Sequence, residues 1–453
     1  MRYGPDAVDR GGRRVRTLIR NVCLIDPAQG RSIPHGYAVL RDAWIETVAA
    51  GDCPEGDEAF GEVIEGRGKL LLPGMVNAHG HAAMSLFRGY ADDLTLQQWL
   101  RDRIWPVEDR LTPDDVYFGT MLAMLEMLET GTTTFTDMYF FMDRVAQAVL
   151  DSGMRAVLGR GLVGSGEAFS SRLAQSESLI REYDGAGNGR LRMTLAPHAL
   201  YTCPPDSLRK VVAMAQKEDV AIQIHVSETA AEVQDALREF GASPVAVLES
   251  SGLFEARVVA AHCVHVTEDD LAILQAHSVR IAHNPGSNLK LGSGVAPVAR
   301  MLERGLTVGL GTDGAASNNK LDMYDELRLA ALLHKGVQQD PTVIPALAAL
   351  QMATSQGAHT LFYGDGLGVL TAGAPADIQL LDVSGPRYAP DHNWLGHVVY
   401  ASHGGDVTDV FVAGKALVRN REFMTIDRER VIHEATRRGR LLAGQGGPDP
   451  REL

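Results

Sequence analysis

Eight short apolar runs, each followed by a helical stretch, recur between residues 75 and 311 and leave the chain few ways to fold. They are Met75 to Ala78, Thr133 to Asp137, Arg155 to Leu158, Arg192 to Ala196, Ala221 to His225, Val258 to Ala261, Arg280 to His283 and Thr307 to Gly311. Strands that are apolar along their whole length are covered on both faces, which is the signature of a parallel sheet wrapped by helices. The intervening stretches read as those helices. Pro113 to Glu129 has proline at its start, acidic residues in its first turn and Gly131 as its stop. Pro205 to Lys217, Thr229 to Phe240, Leu321 to Lys335 and Pro341 to His359 follow the same rules. Eight such units favour closure into a ring.

The ends of these strands carry the chemistry. The apolar run Leu70 to Val76 reads as a strand ending in His79-Gly80-His81, and alternate residues of a strand share a face, so both imidazoles can reach one metal ion. Three later runs end at His225, His262 and Asp313. Only a closed barrel brings the carboxyl ends of strands so far apart in the count to one point, which disfavours the rival open, doubly wound sheet. The expected fold class is therefore α/β, a (β/α)8 barrel of the TIM type over residues 69–369. Short strand candidates flank it at both ends, among them Leu18 to Ile25, Tyr37 to Leu40, Asp377 to Val383, Val407 to Val412 and Lys415 to Val418, with Gly414 placed for a hairpin. They predict a small β-sandwich domain built from residues 17–68 and 370–453, with a C-terminal helix. Residues 1–16 read as a polar tail.

Composition narrows the partners. A formal net charge of −14 over 453 residues argues against nucleic acid and against an anionic membrane, both of which require a basic surface. A small-molecule ligand is the better expectation. No apolar stretch approaches the roughly 18 residues needed to span a bilayer, and no apolar core follows the N-terminal arginines, so a cytoplasmic location is expected. The four cysteines show no CxxC spacing.

Zinc takes nitrogen, sulfur and carboxylate donors, and a catalytic site leaves one position open for water. His79, His81, His225 and Asp313 supply such a set. Asp313 either ligates the metal or lies just outside, accepting the proton of the activated water. Glu228, three residues after His225, is placed to shuttle protons, and either His262 or His265 can orient the water, with His262 preferred as the first residue after its apolar run. The fourth strand ends Leu195-Ala196-Pro197-His198 without a lysine, so one metal is expected rather than a bridged pair. A three-imidazole, one-carboxylate site suits zinc and also accepts iron or manganese.

In this order and on these strands, the residues resemble the amidohydrolase superfamily, and most closely its 5′-methylthioadenosine/S-adenosylhomocysteine deaminases. The most specific pieces are the segments 73–81, 86–94, 283–291 and 311–319. The resemblance implies hydrolytic deamination of adenosine-type nucleosides to the inosine analogues and ammonia, with one divalent cation per subunit and a homodimer or homotetramer. A triazine hydrolase or free-base deaminase of the same superfamily is the alternative. The resemblance also implies substrate contacts: Trp99 as an aromatic wall, Glu108 on the ribose hydroxyls, His198 on a purine ring nitrogen, Arg160 and Arg172 on an amino-acid carboxylate, and Ser317 at the base edge.

Overall fold

The computed structural model describes residues 16–444. Most of the expected polar tail, residues 1–15, lies outside the described residues, as do residues 445–453.

All eight expected barrel strands are present, as β6 (Met75–Asn77), β7 (Thr132–Tyr139), β8 (Arg155–Leu162), β9 (Leu191–Pro197), β10 (Ile222–Val226), β11 (Val258–His262), β12 (Arg280–His283) and β13 (Val308–Leu310), given that the small sheet contributes five strands before them. They pair in sequence order, and every adjacent pair is parallel. The seam between first and last is joined by hydrogen bonds from Ala78 N–H to the Leu310 carbonyl (2.8 Å) and from Asp313 N–H to the His79 carbonyl (3.1 Å). Asn77 bridges the same seam, donating to Thr312 Oγ1 at 2.7 Å and accepting the Thr312 N–H at 3.0 Å. The metal-ligand candidates of the first and eighth strands are thus tied to each other through their own backbones.

The apolar run 70–76 is not one strand. It divides at Gly74, where a Cβ would stand 2.2 Å from the Thr133 side chain, so the backbones of β6 and β7 can approach only over a glycine. The first half, β5 (Lys69–Pro73), pairs antiparallel with β14 (Ile378–Asp382), a strand of the returning chain. Both chain ends therefore meet in one mixed nine-stranded sheet, completed by β1 (Arg16–Asp26), β2 (Arg31–Arg41), β3 (Trp44–Ala50), β4 (Glu62–Glu65), β15 (Val407–Val412), β16 (Lys415–Arg419) and β17 (Glu422–Phe423). It folds over a core of its own that includes Ile19, Leu24, Leu40, Leu71, Ile378 and Phe411. The hairpin between β15 and β16 turns on Ala413 and Gly414, both at positive φ, and a Cβ at Gly414 would collide with the Asp42 carbonyl.

Helix Pro113–Glu129 has the expected bounds and a capping box between Thr112 and Asp115. The single helix expected over 341–359 is instead two short ones, Ala346–Met352 and Ser355–Thr360. The break has a use: it frees the Ala353 carbonyl to accept the Val76 N–H at 2.8 Å, anchoring the first barrel strand. Helix Arg428–Leu442 closes the described chain, and its Arg438 pairs with Asp115 at 2.9 Å.

Candidate active site

Strand geometry delivers the side chains, and sharp exits from three strands aim them. Ser227, His262 and Asp313 all adopt left-handed backbone (φ 49°, 72° and 60°), a conformation that costs a non-glycine residue about 1–2 kcal/mol. Such strain is tolerated where side-chain placement matters.

Five donors converge at the barrel rim. The ligand atoms of His79, His225 and His262, and those of His79, His81 and Asp313, form two overlapping groups, with the atoms of each within 4.8 Å of one another. Asp313 Oδ1 lies 3.2 Å from His81 Nε2 and 3.6 Å from His79 Nε2. It does not cap the following helix, whose first flanking residue is Gly314 with no side-chain bond. Its second oxygen, Oδ2, accepts from Ser287 Oγ (2.6 Å) and Ser317 Oγ (2.9 Å).

The tautomers test whether a cation fits. His81 Nδ1 sits 2.8 Å from the Met138 carbonyl and His225 Nδ1 2.7 Å from the His198 carbonyl. Carbonyls only accept, so each Nδ1 carries the proton and each Nε2 turns a lone pair inward. Those two Nε2 atoms are 3.3 Å apart, and His79 Nε2, also buried, has no hydrogen-bond partner. Facing lone pairs repel unless positive charge lies beside them. Burial opposes a charged His81, yet the hydrogen bond and charge of Asp313 outweigh it and push the pKa up to about 9. Burial likewise opposes an ionised Asp313, and His81, His262 and His79 outweigh it, holding the carboxyl well below its usual range. His79 and His225 are driven well down, first by burial and then by the surrounding imidazoles. The cluster is built around one positive centre, which a proton at His81 satisfies in part and a divalent cation satisfies for the whole set.

One of these donors, His262, stands beside a buried carboxyl, Glu228. Glu228 is 6% exposed, and its Oε2 lies 4.0 Å from His262 Nε2. Burial raises its pKa, the His262 charge opposes this, and the Asp313 charge adds to it. His262 Nδ1 meets Asn288 Oδ1 at 2.8 Å, which leaves the Nε2 lone pair toward Glu228 and the cluster. The other histidine considered, His265, is turned away, with Nε2 2.6 Å from the Ser293 carbonyl. Glu228 precedes helix Ala230–Phe240 and does not belong to its first turn. Glu232 does, and its carboxylate accepts the N–H groups of Ser227 (3.1 Å) and Glu228 (2.7 Å), bracing the loop that carries the acid.

The cluster opens onto a cavity of about 1010 Å³, at the upper end of the roughly 300–1,000 Å³ usual for small-molecule sites. Trp99, Glu108, Arg160, His198 and Ser317 line it together with Glu228, His262 and Asp313. Arg172 does not line it. Its Nη1 donates to the Val163 carbonyl at 2.8 Å, and after burial its charge is what lowers the pKa of Arg160. The Ser317 hydroxyl, expected at a base edge, lies within hydrogen-bond distance of Asp313 Oδ2 (2.9 Å) and of the Gly314 carbonyl (3.0 Å), with one proton to give. His198 Nδ1 is 3.0 Å from Thr202 Oγ1, and burial followed by the charges of His81 and His262 lowers its pKa to about 4.

Residues that the sequence reading left without a role surround these. Asn288, Ser287 and Asn284 sit in the segment 283–291, singled out as a motif but given no task, and Glu232 has the spacing of a capping residue, a signal that could have marked it. Nothing in the sequence pointed to Tyr139.

The amidohydrolase family pattern matches residues 70–417. The chain is 47% identical to the 5-methylthioadenosine/S-adenosylhomocysteine deaminase of Syntrophomonas wolfei over 433 residues, 95% of this chain and 100% of that one. It is 49% identical to the protein of the same name from Desulforudis audaxviator over 428 residues, covering 94% and 99%. Among solved structures it superposes on an adenosine deaminase from Xanthomonas campestris with bound zinc (TM-score 0.90, 32% identity, 95% and 99% coverage). It also superposes on the zinc complex of atrazine chlorohydrolase from Arthrobacter aurescens (TM-score 0.86, 26% identity, 93% and 100% coverage). By its barrel, its rim of donors and its sequence, the chain belongs to the amidohydrolase family, alongside the 5′-methylthioadenosine/S-adenosylhomocysteine deaminases.

Proposed function

We propose that this protein is a hydrolase that deaminates adenosine-type nucleosides, 5′-methylthioadenosine and S-adenosylhomocysteine foremost and adenosine and 5′-deoxyadenosine with them. Water replaces the exocyclic amino group, giving the inosine analogue and ammonia. His79, His81, His225 and Asp313 would hold one divalent cation, with zinc as the favoured ion. When bound, such a cation lowers the pKa of a coordinated water toward about 7.

The remaining steps belong to the chain. Asp313 and the Nε2 lone pair of His262 take the proton of the attacking water and orient its oxygen toward the amino-bearing carbon. Glu228, kept protonated more readily by its burial, gives its proton to the adjacent ring nitrogen as the carbon becomes tetrahedral. A further proton returned through the same groups lets ammonia leave. Trp99 walls the base, His198 meets a purine ring nitrogen, Glu108 accepts from the ribose hydroxyls, and Arg160 binds the amino-acid carboxylate of S-adenosylhomocysteine, with Arg172 behind it.

One observation carries the reading: Glu228 and His262 stand together, buried, beside an inward-facing donor cluster and in the same cavity as Glu108. A merely structural metal has no use for a spare acid and base. Ammonia release from 5′-methylthioadenosine, S-adenosylhomocysteine, adenosine, guanine and a chlorinated triazine tests it. Turnover confined to the nucleosides supports the proposal, and turnover confined to guanine or the triazine refutes it.

A further inference from the structure

We infer that Tyr139 is a positioning residue that fixes the ribose acceptor relative to the metal-ligand cluster; the inference rests on the reading of Glu108 as that acceptor. Tyr139 is the last residue of β7 and is 4% exposed. Its hydroxyl donates to Glu108 Oε1 at 2.6 Å, the length of a charge-assisted O–H···O⁻ bond. Burial, with the Glu108 charge adding to it, drives the phenol well above its ordinary pKa, so Tyr139 stays a donor and Glu108 its acceptor. Glu108 Oε2 has no hydrogen bond among the described residues, and both residues line the cavity. One carboxylate oxygen is therefore pinned by the protein, and the other is held ready to accept a hydroxyl.

The pin has a second anchor. The residue before Tyr139 is Met138, whose carbonyl takes the Nδ1 proton of His81. Two consecutive residues of one barrel strand thus set the ring of a metal ligand and the carboxylate of the diol acceptor. Glu108 itself lies outside the barrel, at the end of the helical stretch 96–108, and the Tyr139 hydroxyl ties its carboxylate to a barrel strand. Without the phenol, the carboxylate would lose its fixed distance to the reacting carbon and the hydrogen bond that opposes the upward pull of burial on its pKa, and only substrates that use the diol would notice.

The test compares Tyr139→Phe and Glu108→Gln with the parent protein, in its metal-loaded form, on adenosine, 5′-methylthioadenosine and 2′,3′-dideoxyadenosine. For Tyr139→Phe we expect KM to rise about 10-fold for the two ribonucleosides, with kcat within threefold and both constants for the dideoxynucleoside at the parent level, which also reports that the variant is folded. Glu108→Gln should abolish the preference for ribonucleosides. A KM increase of equal size for all three substrates makes Tyr139 a packing residue and overturns the inference. So does an unchanged KM in Tyr139→Phe while Glu108→Gln loses the preference, an outcome that leaves the reading of Glu108 intact. If Glu108→Gln keeps the preference, that reading fails and the inference fails with it.

Discussion

Glu228→Gln separates proton transfer from everything else the site does. The amide has the shape of the acid it replaces, so a side chain 6% exposed in a closed setting can be exchanged without opening a cavity. No member of either donor group is removed, and Glu232 still accepts the backbone N–H of residue 228. What disappears is the proton that a buried carboxyl with a raised pKa can deliver to the ring nitrogen. General acid catalysis contributes about 10²–10⁴ in rate. At 1.36 kcal/mol per decade this is about 3–5 kcal/mol of barrier. The assay is steady-state ammonia release from 5′-methylthioadenosine, with metal content and melting temperature read on the same preparation. We expect kcat/KM to fall by that factor while metal content and melting temperature stay at the parent values. Activity within threefold of the parent would remove Glu228 from the mechanism, and a parallel loss of metal would make it a ligand instead.

Three further outcomes follow from particular contacts. Arg160→Ala should raise KM for S-adenosylhomocysteine roughly 10- to 100-fold, the worth of hydrogen bonds to a charged group, and leave 5′-methylthioadenosine unaffected; equal losses on both would contradict the assignment. Asn288→Ala removes the 2.8 Å partner of His262 Nδ1 and should lower kcat about 10- to 100-fold with unchanged metal content, so an unaltered kcat would show that His262 needs no such support. Glu326 is 1% exposed, and burial pushes its pKa up to about 7, although the Gly286 N–H and Asn318 Nδ2 oppose this. Its folded form therefore keeps a proton that the unfolded chain releases near pH ~4.3, and stability is lost as pH rises from there through about 7, by on the order of 3 kcal/mol. Glu326→Gln should flatten the melting temperature against pH between about 5 and 8, and an unchanged slope would refute this.

The barrel was legible because its signal is physical and local. Strands such as Val258–His262 and Val308–Leu310 have almost no polar residue to expose, and a helix bounded by Thr112-Pro113 and Gly131 declares both of its ends. The donors were legible for a related reason: His79, His81, His225, His262 and Asp313 stand where apolar runs stop, and strand ends of a parallel barrel share a rim. What failed to show was anything set by long-range fit. The division at Gly74 depends on a contact with Thr133, and the broken helix near Ala353 depends on a hydrogen bond to Val76. Ser317 illustrates the same limit within the site, because the hydrogen bond from its hydroxyl to Asp313 is made by folding and leaves no trace in spacing. Tyr139 was hidden for this reason too, since its partner lies 31 residues earlier, on a helix outside the barrel.

The central claim is that this rim holds one divalent cation and uses it to hydrolyse the amino group of an adenosine-type nucleoside. Its most direct test is one preparation assayed twice, for metal per chain and for inosine-type product formed from 5′-methylthioadenosine, before and after removal of the metal by a chelator. We expect about one equivalent of metal, and turnover that disappears with it and returns when a divalent ion is restored. Full turnover by the metal-free protein, or a stoichiometric metal with no nucleoside turned over, would contradict it.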